Sequence, residues 1–425
     1  MASILESDEW QKAVAYEIKD EDIERSRKLI GYEQPSAARE WIQTATEDAI
    51  RNWAHACGDD NPLYCNPDYA RGTRWGGVIA PGMMVGHLNS PMKGDPVPDE
   101  VKALRKSLFK GIHVFVSGSG WDFYRPVRPG DTIYSFGGEE TCEVKQSEFA
   151  GRSVILTSRQ VKVNQRAEVV AVYRVLRVLT ERKTAAKKGK YAGIEPQRYE
   201  DEDIAKLDAI YEAEQVQGGA KRWFEDVEKG DSLGTMAKGP LTVTDVICFH
   251  SAGYGFVPYA PSVGRLAHRN RKRIPAFYVK NEYGVPDVAQ RLHWDPLWAQ
   301  AIGNPMAYDY GVMRENYLFH YLSDWAGDDA IITHVHDEIR KFNYMGDTQV
   351  ITGEVLGKRT GDAGEALVDV AVRFTNQRGE ETVRATATIA VPSRAHALPV
   401  YPEVPRELAE KAAAMMARHW ELSRK

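Results

Sequence analysis

The sequence predicts an α+β protein built from one unit used twice, each unit a helix lying against an antiparallel sheet. Residues 59–85 read DDNPLYCNPDYARGTRWGGVIAPGMMV and residues 287–314 read DVAQRLHWDPLWAQAIGNPMAYDYGVMR. Laying Tyr64 on His293 also lays Asn66 on Asp295, Pro67 on Pro296, Ala70 on Ala299 and Gly82 on Gly311, without a gap. Gly130-Asp131-Thr132 recurs as Gly346-Asp347-Thr348, and Asn164-Gln165-Arg166 recurs as Asn376-Gln377-Arg378. The second triplet stands each time between two runs of alternating apolar residues, as a hairpin turn would. Two copies make two like domains rather than a solenoid, which needs three or more.

Taken in order, IKDEDIERSRKLI reads as a charged surface helix. In TATEDAIRNWAHACG, Thr46 is placed to cap a helix that carries Ile50, Trp53 and Ala54 on one face. Pro81-Gly82 opens a helix over PGMMVGHLNS, suited by its small and apolar residues to a buried position. From about Val101 to Val178 the pattern turns to strands rich in Val, Ile and Tyr, separated by turn residues. Residues 181–221 read as a linker, first basic (ERKTAAKKGKYAG), then a charged helix. The second copy opens with a helix over LTVTDVICFHSAG, whose partner in the first copy is marked by Trp53 and Phe249. A long irregular insertion bearing HRNRKR follows, then the His293 loop, an amphipathic helix from Gly311 to Trp325, and four strands ending near Val391. The tail reads as a terminal helix. The divisions are therefore 1–180, 181–221, 222–400 and 401–425.

A helix wrapped by an antiparallel sheet is the hot-dog fold, so the pair is a double hot-dog. With 43% hydrophobic residues the chain can bury a sizeable core, and a net charge of −5 gives no basic footprint for nucleic acid. The opening MASILESDEW is acidic and lacks an apolar run, so no secretory leader is expected. No apolar run approaches the roughly 18 residues of a membrane span. Cys57, Cys65, Cys142 and Cys248 show neither CxxC spacing nor a disulfide framework, which fits a reducing, cytoplasmic setting. There is no Walker loop, no GxGxxG after a strand, no Cys/His set of metal spacing and no GxSxG elbow, so no metal and no cofactor are expected.

The loops resemble the signature of the MaoC-like, (R)-specific enoyl-CoA hydratase family, G-D-x-N-P-x-H-x-D-P-x-x-A followed by a glycine that opens the central helix. The first copy reads Gly58-Asp59-Asp60-Asn61-Pro62-Leu63-Tyr64-Cys65-Asn66-Pro67, with tyrosine where the family has its catalytic histidine. The second reads His293-Trp294-Asp295-Pro296-Leu297-Trp298-Ala299, with Gln290 at the Asn position, Val288 at the Asp position, and Asp287 one residue early. The resemblance covers about 45–180 and 222–395, leaving the linker and residues 256–286 unmatched. It implies a catalytic second lobe, an acyl-binding first lobe, an acyl-CoA substrate, and pairing of chains into a homodimer or larger homo-oligomer.

Adding water across an α,β-unsaturated thioester needs an acid–base group and a stabiliser for charge on the thioester oxygen. Histidine titrates near neutrality, and a neighbouring carboxylate fixes its tautomer. His293 with Asp287 is the expected pair, and the amide of Gly311 at the helix N-terminus is the expected oxyanion donor. Asp59, Asn61, Tyr64, Gly82 and Asp295 are expected to bind substrate. Arg269, Arg271 and Arg273 are candidates for the phosphates of coenzyme A, which arginines clamp bidentately. Plainer roles compete. His293 could be a histidine satisfied by a backbone carbonyl, Asp287 a turn residue, Asp295 a helix cap, and the arginines a solvated run. A thioesterase on the same fold, and a non-catalytic acyl-binding subunit, are the rival functions.

Overall fold

A computed structural model describes residues 17–110, 112–147, 151–180, 194–255, 263–301, 304–395 and 398–424. The basic half of the linker, 181–193, lies outside them. Twelve strands are described: β1 (Gln34–Pro35), β2 (His113–Phe123), β3 (Ile133–Ser147), β4 (Gly151–Asn164), β5 (Val169–Thr180), β6 (Ser232–Lys238), β7 (Tyr278–Lys280), β8 (Pro286–Val288), β9 (Ile331–Ile339), β10 (Gln349–Thr360), β11 (Ala366–Asn376) and β12 (Glu381–Ala390). Ten of them form one antiparallel sheet in the order β1-β3-β4-β5-β2-β9-β12-β11-β10-β6. The order is palindromic: each lobe contributes the same run of strands, and the two halves meet where β2 pairs with β9. At that seam a Cβ on Gly118 would stand 2.1 Å from the Asp337 carbonyl oxygen, so only glycine lets the strands close.

The repeated triplets make the same hydrogen bonds twice. Gln165 Oε1 accepts from Thr132 N (2.9 Å), as Gln377 Oε1 does from Thr348 N (3.0 Å). Arg166 reaches Asp131 at 3.0 Å, and the Arg378 fork takes both oxygens of Asp347 at 2.6 Å. Asn164 and Asn376 each turn their hairpin by accepting two backbone N–H groups. Buried polar groups must be paired, so these side chains fix the turn that follows each lobe's central segment.

The two central segments differ. In the second lobe a helix runs Gly311–Ala326 and is buried from Met313 to its end, rather than amphipathic as expected. A helix buried on every side must pair its own polar residues. Arg314 meets Asp309 (3.0 Å), Asn316 accepts from Trp53 Nε1 (2.9 Å), and Ser323 donates to the His320 carbonyl (2.9 Å). In the first lobe the expected helix over PGMMVGHLNS is reduced to a 3-10 helix, Gly82–His87. Gly86 is pressed against Trp121, and Leu88 leaves the helix to pair beside Ile42. The Gly311–Ala326 helix packs against this short segment and serves both lobes.

Thr46 caps Glu47–Ala56 by accepting from Ala49 N (3.1 Å), as expected. HRNRKR lies on a helix, Gly264–Arg273, rather than in an irregular insertion. The linker's charged part forms a helix, Asp201–Ala213, preceded by Tyr199, whose hydroxyl bonds to Gly346 O (2.8 Å) on the second lobe. The terminal helix, Arg406–Ser423, crosses back to the first lobe, where Ala412 and Met416 pack on Phe136, Val161 and Val172.

Candidate active site at the helix mouth

The β7–β8 hairpin leads into a 3-10 turn, Ala289–His293. Buried Arg291 holds this loop, donating to the carbonyls of Val279 (3.0 Å) and Lys280 (3.2 Å) and to Asp295 Oδ2 (3.0 Å). Asp295 Oδ1 accepts from Leu297 N and Trp298 N (3.0 and 3.1 Å), capping the next helix. Both oxygens of Asp295 are thus spent on the loop, so its expected substrate contact gives way to the plainer role of cap. Asn66 does the same in the first lobe, accepting from Asp68 N and Tyr69 N.

His293 stands at the mouth of the central helix. Its Nδ1 is 2.8 Å from Tyr308 O, and its ring lies 3.8 Å from that of Tyr310, the residue before Gly311. A carbonyl can only accept, so Nδ1 carries the hydrogen, and in the neutral ring Nε2 is the acceptor. Loss of water pulls its pKa down to about 4, against the main-chain hydrogen bonds of Tyr308 and Asp309, which raise it. The expected Asp287–His293 pair is not formed. Asp287 is fixed in β8 opposite Val279, and its carboxylate accepts from Val288 N (2.7 Å). The backbone carbonyl does the orienting instead.

Around the ring, Gln290 Nε2 donates to the Tyr310 hydroxyl (3.0 Å), which lies 3.0 Å from His250 Nε2, while His250 Nδ1 meets Tyr254 O (2.6 Å). His250 is thus a neighbour of the site. Among the described residues no side chain caps the helix at Tyr310, which leaves its first N–H groups to other acceptors. A Cβ on Gly311 would meet Ile339 Cδ1 at 2.7 Å. Arg269 and Arg273 are exposed and Arg271 half-buried on the Gly264–Arg273 helix, which continues into the β7–β8 hairpin beneath this loop.

The equivalent loop of the first lobe is closed. Asp59, Asn61 and Tyr64 are buried; Asp59 Oδ1 accepts from Asn61 N and Asn61 Oδ1 from Leu63 N, both at 3.0 Å. A Cβ on Gly82 would lie 2.5 Å from Phe319 Cε2, so the ring of Phe319 covers that glycine. The cavity lined by Asn61, Tyr64, Gly82, Phe123, Phe319 and Ser323 holds only about 60 Å³. Asp59 is therefore shielded by protein, and half-buried Gly82 faces only this small cavity, so neither is open to a substrate as expected.

A titratable cluster that the sequence reading missed lies behind this cavity. His320 Nε2 is 3.1 Å from Asp324 Oδ2 and 3.6 Å from Asp59 Oδ1. Its Nδ1 is 2.7 Å from Lys238 Nζ, which also donates to the carbonyls of Cys57 (3.2 Å) and Gly58 (2.9 Å). Burial raises the pKa of Asp324 to about 7, partly offset by Lys238, and lowers that of His320 to about 4, partly offset by Asp59. The one sequence signal was the spacing of His320 and Asp324, one turn apart on a helix. Among the described residues no group of three or more His, Cys, Asp or Glu could hold a metal ion, and no helix is long and apolar enough to cross a membrane.

One ten-stranded sheet whose like halves meet at β2 and β9, with a central helix whose mouth carries a histidine, defines a double hot-dog protein. Residues 28–173 match the family described as "FAS1-like, dehydratase domain region". A "Probable enoyl-CoA hydratase alpha subunit" of Thermomonospora curvata is 29% identical over 133 residues, 29% of this chain and 41% of that protein. A "UPF0336 protein" of Streptomyces avermitilis is 33% identical over 86 residues, 20% of this chain and 54% of its own length. The chain thus spans about half the length of these curated relatives. A solved "MaoC-like dehydratase" is 15% identical, with a TM-score of 0.53, over 86% of this chain and 99% of its own. Within the double hot-dog class, the fold of the chain is similar to that of a MaoC-like dehydratase, and its first lobe is similar to a dehydratase domain region.

Proposed function

We propose that the protein is a hydro-lyase that interconverts 2-enoyl and 3-hydroxyacyl thioesters of coenzyme A at the mouth of its Gly311–Ala326 helix. The observation that carries this is the Tyr308 carbonyl on His293 Nδ1, which leaves Nε2 as the basic nitrogen of a neutral imidazole. In the hydration direction Nε2 takes a proton from water as the oxygen bonds to C3. The electrons of the C2–C3 double bond move onto the thioester oxygen, where the Gly311 N–H stabilises them. The proton then passes from the imidazolium to C2, restoring the thioester. General acid–base help is typically worth roughly 10²–10⁴-fold, and one oxyanion donor roughly 10²–10³-fold. Arg269, Arg271 and Arg273 would meet the coenzyme A phosphates from the neighbouring helix, and the substrate would diffuse in solution to a cytoplasmic homodimer.

One observation favours a second reading, a non-catalytic acyl-thioester-binding subunit. Among the described residues His293 has no carboxylate partner, and one relative is named as an alpha subunit. Turnover of crotonyl-CoA and bulkier enoyl-CoAs by the wild type and by His293→Ala decides between them. Loss of the enoyl thioester absorbance that depends on His293 supports the hydro-lyase. Binding without turnover supports the subunit, and release of free thiol would make the protein a thioesterase.

A further inference from the structure

Resting on that reading, we infer that the first-lobe loop 59–64 is the seat of the second lobe's central helix, and that Asp59 is a positioning residue for the reaction at that helix's mouth. The helix offers the loop one continuous face. Phe319 covers Gly82, His320 faces Asp59, and Ser323 shares a hydrogen bond with Tyr64. Gly82, Asp59 and Tyr64, three of the first-lobe groups in the position of a substrate contact, are thus each met by a side chain of the other lobe.

Lys238 completes the join. Its three donors are taken by Cys57 O, Gly58 O and His320 Nδ1, which ties β6, the loop and the helix together. With Nδ1 facing an ammonium, His320 carries its hydrogen on Nε2, directed between Asp324 and Asp59. Asp324 is on the same helix and moves with it. Asp59 does not, so among these groups it is the carboxylate that registers the helix against the first lobe. Trp53 makes a second such contact, donating to Asn316. His320 is nine positions from Gly311, about 13 Å along a stiff rod at 1.5 Å per residue. A slip at His320 therefore displaces the Gly311 amide, and a misplacement of about 1 Å can cost roughly 100-fold in rate.

The test uses the full chain and compares the wild type with Asp59→Asn, His320→Gln and the double variant. Crotonyl-CoA kinetics and hydrogen exchange of the 312–315 amides are both read. The expected result for Asp59→Asn is a fall in kcat of tenfold or more, KM within threefold, and faster exchange at the helix mouth. The double variant should be no worse than the worse single, and Asp59→Glu should recover part of kcat. If Asp59→Asn fails to fold, His320→Gln carries the same expectations. Unchanged kcat and exchange in the single variants would overturn the inference. So would residual turnover in His293→Ala that Asp59→Asn abolishes, since the loop would then be a reaction centre. A wild type without turnover refutes the hydro-lyase reading, whereas the exchange measurement still judges the seat.

Discussion

Replacing His293 by alanine removes the imidazole that lies 3.8 Å from the Tyr310 ring at the mouth of the central helix, and the pH profile shows whether that imidazole is the base. An ordinary histidine titrates at about 6.5, so at pH 5 only about 3% of it would be neutral. His293 is held down to about 4 by its dry surroundings, so at pH 5 about 90% of it stays in the basic form. The sign follows from the role. A base works when deprotonated, so lowering its pKa extends activity to more acid solution. The prediction is that kcat/KM for crotonyl-CoA hydration at pH 5 remains close to its value at pH 7. The acid limb should have a midpoint near 4, and alanine should lower kcat by roughly 10²–10⁴ and abolish the limb. Loss of the enoyl absorbance is followed from pH 4 to 8, with activity rechecked at pH 7 to exclude unfolding. A midpoint between 6 and 7, or an alanine variant with wild-type kcat, would refute the assignment.

Asp347 is fully buried and holds both arms of Arg378, so Asp347→Ala should cost about 1.5–3 kcal/mol through the lost charge-assisted hydrogen bonds, with Glu380 still pairing the guanidinium. Asp131→Ala should cost less in urea unfolding, because Arg166 is more exposed than Arg378 and can turn to water. Asp295→Ala removes a cap worth about 1 kcal/mol and the carboxylate of buried Arg291. It should lower both the thermal midpoint and kcat as the His293 loop loosens. Changing Arg269, Arg271 and Arg273 together to Gln should raise KM for acyl-CoA about tenfold and flatten its dependence on salt, with kcat nearly unchanged. A KM equal to wild type would remove that helix from the binding site.

The duplication was legible because its anchors are polar groups with one geometric task each: Asp131 and Asp347, Asn164 and Asn376, Asn66 and Asp295 appear in register because each makes the same bonds in both lobes. The central helix was legible in position but not in environment. Arg314, Glu315, Asn316, His320 and Asp324 mark an exposed face in sequence, and the partners of Asn316 and His320, namely Trp53, Lys238 and Asp59, come from distant segments. The Asp287 pairing failed because the short β7–β8 ladder, joined through Tyr278 and Val288, sets where that carboxylate points. His320 escaped notice because nothing near it in sequence resembles a motif. Likewise, the first lobe's truncated helix follows from Gly86 meeting Trp121, a contact between residues far apart in the chain.

A sheet that reads the same from either end has no natural place to break. Cutting the molecule between its lobes would strip β2 and β9 of their neighbours, leaving each half with a long unpaired margin ready to recruit another strand. The tether at 181–221 therefore does what a partner subunit would otherwise do. By linking unlike halves it lets one surrender its inner helix so that the other's can fill the middle, a division of labour closed to two identical chains related by a twofold axis.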